Sequence, residues 1–270
     1  MKFKILFGIF NVIIIVAFVS ILLLPVFLVG SDYALLFWQS NWILIIAFLL
    51  VLAGVNVYFL RNWKLFTYLE AENWSGLKEY LEHEITKRGR AGRQKVQLFL
   101  HAAVLTSDIG GIERLETHLT QTNPGLVARF AGDFSLPHLL SAEPERILSF
   151  AESYLPEVSG DASEWLSFCR GFAYTLKNEP EQAKESLLGN VRTDKNDVVA
   201  SMALYLVKQL PLALSSQEEQ VVRDTRNRIR DRYTREKWHE MVERESRQLY
   251  ILAFRGLLND VEESLFATEG

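Results

Sequence analysis

The sequence predicts an all-α protein: a transmembrane helical hairpin at the N terminus, an α-solenoid of paired helices, then a long C-terminal helix or helix pair. Three observations predict it. Two apolar runs, Ile5 to Val29 and Trp42 to Leu60, stand at the start of the chain. Each is long enough to cross a bilayer, because about 20 apolar residues in a helix span roughly 30 Å of hydrocarbon. Residues 63–196 repeat with a period near 35 residues, and a repeat of that length signals stacked supersecondary units. Finally, no run alternates apolar and polar residues in the manner of a half-buried strand.

The first run begins with Lys2 and Lys4, as a signal peptide does, but its apolar stretch far exceeds the roughly 7–15 residues of a signal core. Bulky residues from Pro25 to Val29 leave no small-x-small cleavage site. A retained hairpin within residues 1–62 is therefore expected, with helices at about 5–29 and 42–60. Lys2 and Lys4 precede it, Arg61 and Lys64 follow it, and the segment between the runs carries only Asp32. The bias of cytoplasmic flanks toward Lys and Arg then places both termini in the cytoplasm, with the hairpin in a bacterial inner membrane. Tyr33, Trp38 and Trp42 at one edge, and Trp63, Phe66 and Tyr68 at the other, fit aromatic belts at the two interfaces. Asn11 and Asn56 are the polar exceptions inside the spans. Their similar depths allow a hydrogen bond across the hairpin, or contact with water and headgroups; both readings stay open. No Asp, Glu, His, Lys or Arg lies well inside either span, which argues against an ion or proton path.

Residues 63–196 carry the repeat. Leu69, Leu105, Leu140 and Leu176 close four first helices. The turns that follow read Glu72-Asn73-Trp74, Ser107-Asp108-Ile109, Ala142-Glu143-Pro144 and Asn178-Glu179-Pro180. Second helices then open their buried faces at Leu77, Ile112, Ile147 and Ala183, continued by Leu81, Leu115 with Leu119, Ala151 and Leu187. Breakers fall between the periodic segments at Asn123-Pro124-Gly125, Pro137, Pro156, Ser159-Gly160-Asp161 and Pro211, where helix boundaries belong.

This plan resembles the tetratricopeptide repeat, whose period is about 34 residues. The best match is Trp165 to Asn190, where Gly171, Tyr174, Ala183 and Leu187 fall at that family's small, aromatic, small and large positions. The other units keep the spacing and depart from the consensus, so the repeat is degenerate, and a generic helical bundle with hairpins of similar length is the competing reading. The resemblance implies a groove lined by first helices that binds peptides or helices of a protein partner. By that implication the partner-binding residues are Phe99, His101, Ala102, Ala128, Arg129, Phe168, Arg170, Gly171 and Tyr174. The layout of a two-span N terminus joined to helical repeats is also similar to that of HemY-type bacterial membrane proteins. That likeness is one of layout and carries no function.

Residues 197–270 are expected to cap the array. Ser215-Ser216-Gln217-Glu218-Glu219 contains two overlapping capping boxes, in which serine and glutamate satisfy free backbone N–H groups. From Ser216 to Arg255 there is neither Gly nor Pro. That stretch is one projecting helix, stiffened by the pairs Asp231/Arg235, Glu240/Arg244 and Glu243/Arg247, or two helices kinked near Tyr233, the second covering the end of the solenoid.

From Arg61 onward the chain has 27 Lys and Arg against 32 Asp and Glu. This mildly acidic balance argues against nucleic-acid binding, which depends on a basic excess. The lone Cys169 excludes an intrachain disulfide and a cysteine-rich metal site. His83, His101, His118, His138 and His239 show no metal-type spacing, and Gly110-Gly111 lacks the other parts of a phosphate loop. No cofactor, metal or catalytic residue is expected. The basic stretch with Lys87, Arg88, Arg90, Arg93 and Lys95 reads either as a solvated loop or as a patch resting on anionic headgroups. The expected role is a non-catalytic scaffold that binds a protein partner at the membrane. The alternatives are an accessory subunit of a membrane enzyme complex and a self-associating, homo-oligomeric component of an envelope assembly.

Overall fold

A computed structural model describes residues 3–193, 195–245 and 249–266, without the side chains of Phe3, Lys4, Leu6, Val29, residues 32–36, Leu249, Tyr250 and Leu252. Lys2, the Lys4, Asp32 and Tyr33 side chains and the Glu243/Arg247 pair lie outside this description. No strand occurs among the described residues. The chain divides into two compact units, Met1–Tyr80 and Leu81–Gly270. This division does not coincide with the boundaries expected after residues 62 and 196.

The first unit holds α1 (Phe3–Val29), α2 (Ser31–Arg61), α3 (Trp63–Glu70) and the start of α4 (Trp74–Thr86). Its apolar windows, Phe7–Leu28 and Phe37–Arg61, have mean hydropathies of 2.9 and 2.7, so two helices are long and apolar enough to cross a membrane. The expected loop before Trp42 is corrected: Gly30 alone separates α1 from α2, at φ +93°. Residues 31–41 carry neither Gly nor Pro and continue the helix, which bends at Asn41, where φ is −119° and ψ 20°. Phe18 stacks on Phe48 at 4.2 Å and Phe7 meets Phe59 at 5.2 Å, joining the two helices along their length. The Trp38 indole N–H donates to the Leu22 carbonyl at 3.1 Å. That bond sits beside the Ile21 carbonyl, whose helical donor is missing because Pro25 has no N–H.

The repeat has a backbone cause. Among the described residues, the non-glycine ones with positive φ are Glu72, Ser107, Ala142 and Asn178, at 49°, 54°, 54° and 61°, each the first residue of an expected turn. In three turns the left-handed residue and its successor donate back to the preceding helix, as in Glu72 N–H to Leu69 and Asn73 N–H to Tyr68. This is the Schellman arrangement, which satisfies the last free carbonyls of a helix. At the third turn, Ser141 Oγ relays the bond, donating to the His138 carbonyl and accepting from Glu143 N–H. The residue after each left-handed one immediately precedes the next helix. Asn73 and Asp108 accept from the N–H groups of Gly76 and Gly111, both at 2.9 Å, whereas Glu143 and Glu179 are followed by a proline at the first helical position.

In the second unit the helices stack in chain order: α5 (Arg93–Leu105), α6 (Ile109–Thr122), α7 (Pro124–Arg129), α8 (Ala131–Ser141), α9 (Pro144–Tyr154), α10 (Asp161–Leu176) and α11 (Pro180–Arg192). First helices α8 and α10 touch directly. The second-helix positions Ile112, Leu115, Leu119, Ile147, Ala151, Ala183 and Leu187 are all buried. Gly171 permits close pairing of α10 with α11, because a Cβ there would stand 2.7 Å from Leu187 Cγ. Ion pairs also step from repeat to repeat: Glu82 with Arg114 at 3.3 Å, Glu113 with Arg146 at 2.7 Å and Glu145 with Lys177 at 3.8 Å. Such partly exposed pairs add little stability each but share one register. Pro137 is a correction: it lies inside α8, where it removes the N–H that would bond the Asp133 carbonyl.

The alternation continues with a fifth pair, α12 (Asp197–Gln209) and α13 (Ser216–Arg232). Ser215 caps α13 and forms a full capping box with Glu218. The stretch 216–255 is not one helix. It breaks at Tyr233, where ψ is 132°, and resumes as α14 (Arg235–Glu245), a 3₁₀ segment (Leu249–Phe254) and α15 (Arg255–Phe266). The break places Asp231 and Arg235 on different helices; Arg235 bonds Glu262 at 2.7 Å instead, and Arg244 meets Glu245 at 3.8 Å.

Candidate functional site

Helix α10 carries two apolar stripes. Leu166, Cys169 and Ala173 form one, all buried; burial also pushes the Cys169 thiol well above its usual range, as expected of a small core residue. Trp165, Phe168 and Phe172 form the other, spaced i, i+3 and i+7, positions that lie on one helix face. Phe254 of the 3₁₀ segment inserts among them, with ring centroids 5.6, 5.3 and 5.0 Å away. The same segment packs on α8, and its Ile251 is fully buried. Trp165 is itself fully buried and donates its indole N–H to Ser135 Oγ at 2.9 Å.

Close in sequence to this face lies an unpartnered feature. Outside the two long apolar helices, the exposed large apolar side chains among the described residues are Leu105, Leu140 and Leu176, at 60%, 53% and 42% exposure. Each lies two residues before the left-handed residue of its turn, at one equivalent position in three successive repeats; Leu105 and Leu176 end their helices, and Leu140 is the last but one of α8. Sequence reasoning marked these leucines as helix ends and missed that they are exposed. Their recurrence at the repeat period was the available signal, because a core leucine has no reason to sit where the chain turns back to solvent.

The expected partner-binding residues do not assemble into one surface. Phe99, Ala102 and Ala128 are buried core, and Phe168 lies beneath Phe254. Arg170 donates to Ser186 Oγ at 3.0 Å and Tyr174 donates to Glu152 at 3.4 Å, so both turn toward neighbouring helices. Gly171 faces Leu187. His101 and Arg129 remain exposed. Register explains part of this: the expected first helix of the third repeat breaks at Phe130, which leaves Ala128 and Arg129 in the short α7.

The basic stretch is organised by a buried acid. Glu84, 3% exposed at its side chain, takes Arg88 at 2.6 Å, Lys95 at 2.9 Å and Arg90 at 3.6 Å. Burial pushes the Glu84 carboxyl up, but Lys95 and Arg88 prevail and hold it below the usual carboxylate range. Lys87 and Arg93 stay exposed. Asn11 and Asn56 do not bond to each other; each amide donates to the carbonyl one turn earlier, Phe7 and Leu52, at 2.9 Å. A cleft of about 450 Å³ opens beside His138, whose Nε2 lies 2.9 Å from Glu116 and whose ring stacks on Phe150 at 4.6 Å. These contacts join α6, α8 and α9.

Fold and site together define an all-helical repeat protein with an apolar two-helix N terminus and a first-helix face partly covered by its own C-terminal segment. Residues 111–267, more than half of the chain, match a family described as an uncharacterised Treponema protein, and the chain belongs to that family. A relative described as an uncharacterized protein of Treponema pallidum (strain Nichols) is 27% identical over 243 residues, which cover 85% of this chain and 77% of the relative. No solved structure matches. The matched family is not a tetratricopeptide one, so that resemblance rests on period and helix geometry.

Proposed function

We propose that this chain is a membrane-anchored scaffold that holds a protein partner against the first-helix face of a tetratricopeptide-like solenoid. The observation that carries the reading is the row Leu105, Leu140 and Leu176. Large apolar side chains exposed at equivalent positions of three successive repeats favour burial by another chain, because covering each removes apolar surface from water. The apolar helices α1 and α2 tether this face to a bilayer. A Treponema family supports a bacterial membrane, and Arg61 and Lys64 after the second helix support a cytoplasmic solenoid. The role is binding rather than catalysis: charged groups of the repeats form inter-repeat pairs such as Glu113 with Arg146 and Glu116 with His138.

A variant with Leu105, Leu140 and Leu176 all replaced by serine tests this. Exposed substitutions of this kind change stability by only about 0.5 kcal/mol each, so it is expected to fold and enter membranes like the wild type. Recovery of co-purifying protein from gently solubilised native membranes is expected to fall by about tenfold or more, since each leucine buried in an interface is worth roughly 1.5–3 kcal/mol. An unchanged set of co-purifying proteins at unchanged yield contradicts the reading.

A further inference from the structure

We infer that the basic loop 87–95 is a second membrane contact, a surface that docks on the phosphate groups of anionic lipids. The inference rests on the anchoring part of the proposed function and is independent of the partner-binding part. Three observations carry it.

The first is a local reversal of charge. Residues 87–95 hold five Lys and Arg and no Asp or Glu. Without these five, the chain from Arg61 onward carries 22 Lys and Arg against 32 Asp and Glu. Among the described residues the loop's ion-pair acid is Glu84, so one charge is offset and four remain in excess. The second is that these cations are arranged rather than free. Glu84 takes Arg88 and Lys95 through its carboxylate, and its backbone carbonyl accepts the Arg90 N–H at 3.1 Å. Gly89, at φ +60°, turns the chain between the two arginines. Arg88 and Arg90 are thus held on one side, while 55% and 56% of their side chains face solvent. Lys87 and Arg93 are exposed and enter no ion pair among the described residues. Cations ordered in advance lose less entropy on binding, and guanidinium groups match phosphate oxygens two at a time.

The third is the short tether to the apolar hairpin. Helix α3 is held at the hairpin's end, with Trp63 6.0 Å from Phe7 and Phe66 5.3 Å from Phe59. Tyr68 of α3 meets Tyr80 of α4 at 5.9 Å, and a Cβ at Gly76 would stand 2.7 Å from the same ring. The start of α4 therefore lies alongside α3. Lys87 follows Tyr80 by seven residues and α4 runs to Thr86, so Lys87 lies within roughly 13 Å of Tyr80. Lipid phosphate fits this loop better than nucleic acid does. Residues 87–95 include no aromatic side chain on which a base could stack, and the acidic remainder of the chain repels a polyanion in solution.

The test places full-length protein, with a fluorophore on Gln94→Cys, in nanodiscs that contain a nitroxide-headgroup lipid as quencher. Gln94 is exposed, and Cys169 is buried and stays unlabelled. Discs of phosphatidylcholine with phosphatidylglycerol are expected to quench the probe about threefold or more over phosphatidylcholine alone. Raising salt from about 0.1 to 1 M shortens the Debye length from about 10 to 3 Å and is expected to abolish that difference. A variant combining Lys87→Gln, Arg90→Gln and Arg93→Gln leaves Arg88 and Lys95 on Glu84 and is expected to melt like the unsubstituted loop. It is expected to lose about a hundredfold in loop affinity for the anionic surface, with quenching at the phosphatidylcholine level. Equal quenching in the two discs, a difference that persists in 1 M salt, or a variant quenched like the unsubstituted loop overturns the inference. Should the triple variant fail to fold, the lipid and salt comparisons decide. No quenching in either disc also overturns it, in favour of a nucleic-acid contact if labelled RNA binds the protein and of a solvated loop if it does not. Protein that enters neither disc overturns the anchor as well, whereas none of these outcomes touches the leucine-row experiment.

Discussion

Replacing Trp165 with alanine is expected to cost about 3–5 kcal/mol of stability, the range for deleting a large buried aromatic side chain. Trp165 is fully buried, meets Phe168 and Phe254 at 5.6 Å each, and donates to Ser135 at 2.9 Å. Its loss removes packing on two sides and an incoming donor from Ser135, which itself is only 2% exposed and donates to the Gly132 carbonyl at 2.6 Å. Trp165→Phe separates these causes. It retains much of the ring volume and loses the N–H, so it is expected to cost about 1–2 kcal/mol. Denaturant unfolding of the purified protein followed by circular dichroism measures both. A Trp165→Ala loss below about 1 kcal/mol means the α8–α10 interface collapses around the gap and is not the rigid packing described.

The opposite sign is expected at Asp133. This carboxyl lies in the first turn of α8 and has no hydrogen bond or ion pair among the described residues. Burial pushes it from its usual 3.8 up to about 6. The native state therefore keeps the Asp133 proton to higher pH than the unfolded chain does. This group's favourable contribution is complete below about pH 4 and is lost as pH rises through about 6. At neutral pH the ionised carboxylate is a liability of up to about 3 kcal/mol. Asp133→Asn is expected to raise stability by about 1–3 kcal/mol above pH 7, with the gain disappearing below about pH 4. Glu84 works in the opposite direction: its carboxyl is held low by Lys95 and Arg88, so its contribution is present above about pH 4.5 and is lost as pH falls further. The difference between wild type and Asp133→Asn across pH isolates the first effect. A gain independent of pH would refute the assignment to ionisation.

The helical-pair plan was legible because its turns are chemically marked. Left-handed helix ends followed at once by Asn, Asp or Glu-Pro recur at Glu72, Ser107, Ala142 and Asn178, and the same residues set the spacing that periodicity detects. None of the left-handed residues is a glycine, which is why the turns were recognised from their neighbours rather than from a glycine signature. Boundaries were less legible where a residue acts against its usual preference. Pro137 sits within α8, and the second apolar helix starts directly after Gly30 because nothing between them breaks it. The break at Tyr233 had a rival in a single projecting helix, since no Gly or Pro marks it. Least legible was the site. Periodicity finds which residues share a helix face, not what covers that face. The aromatic stripe at Trp165, Phe168 and Phe172 reads as core, and nothing local in Phe254 announces its partners some 80–90 residues earlier in the chain. Likewise the basic stretch reads as a surface patch until Glu84 is seen beneath it.

The account's central claim, that the first-helix face holds a protein partner at the membrane, is tested most directly by site-specific photo-crosslinking in native membranes. A photoreactive phenylalanine at Leu140, on the leucine row, is compared with one at Glu185, exposed on the second helix α11. The account predicts a light-dependent adduct with a different protein from position 140 and none from position 185. Equal adducts from both positions, none from position 140, or adducts only with further copies of this chain would contradict it, the last in favour of a self-assembling envelope component.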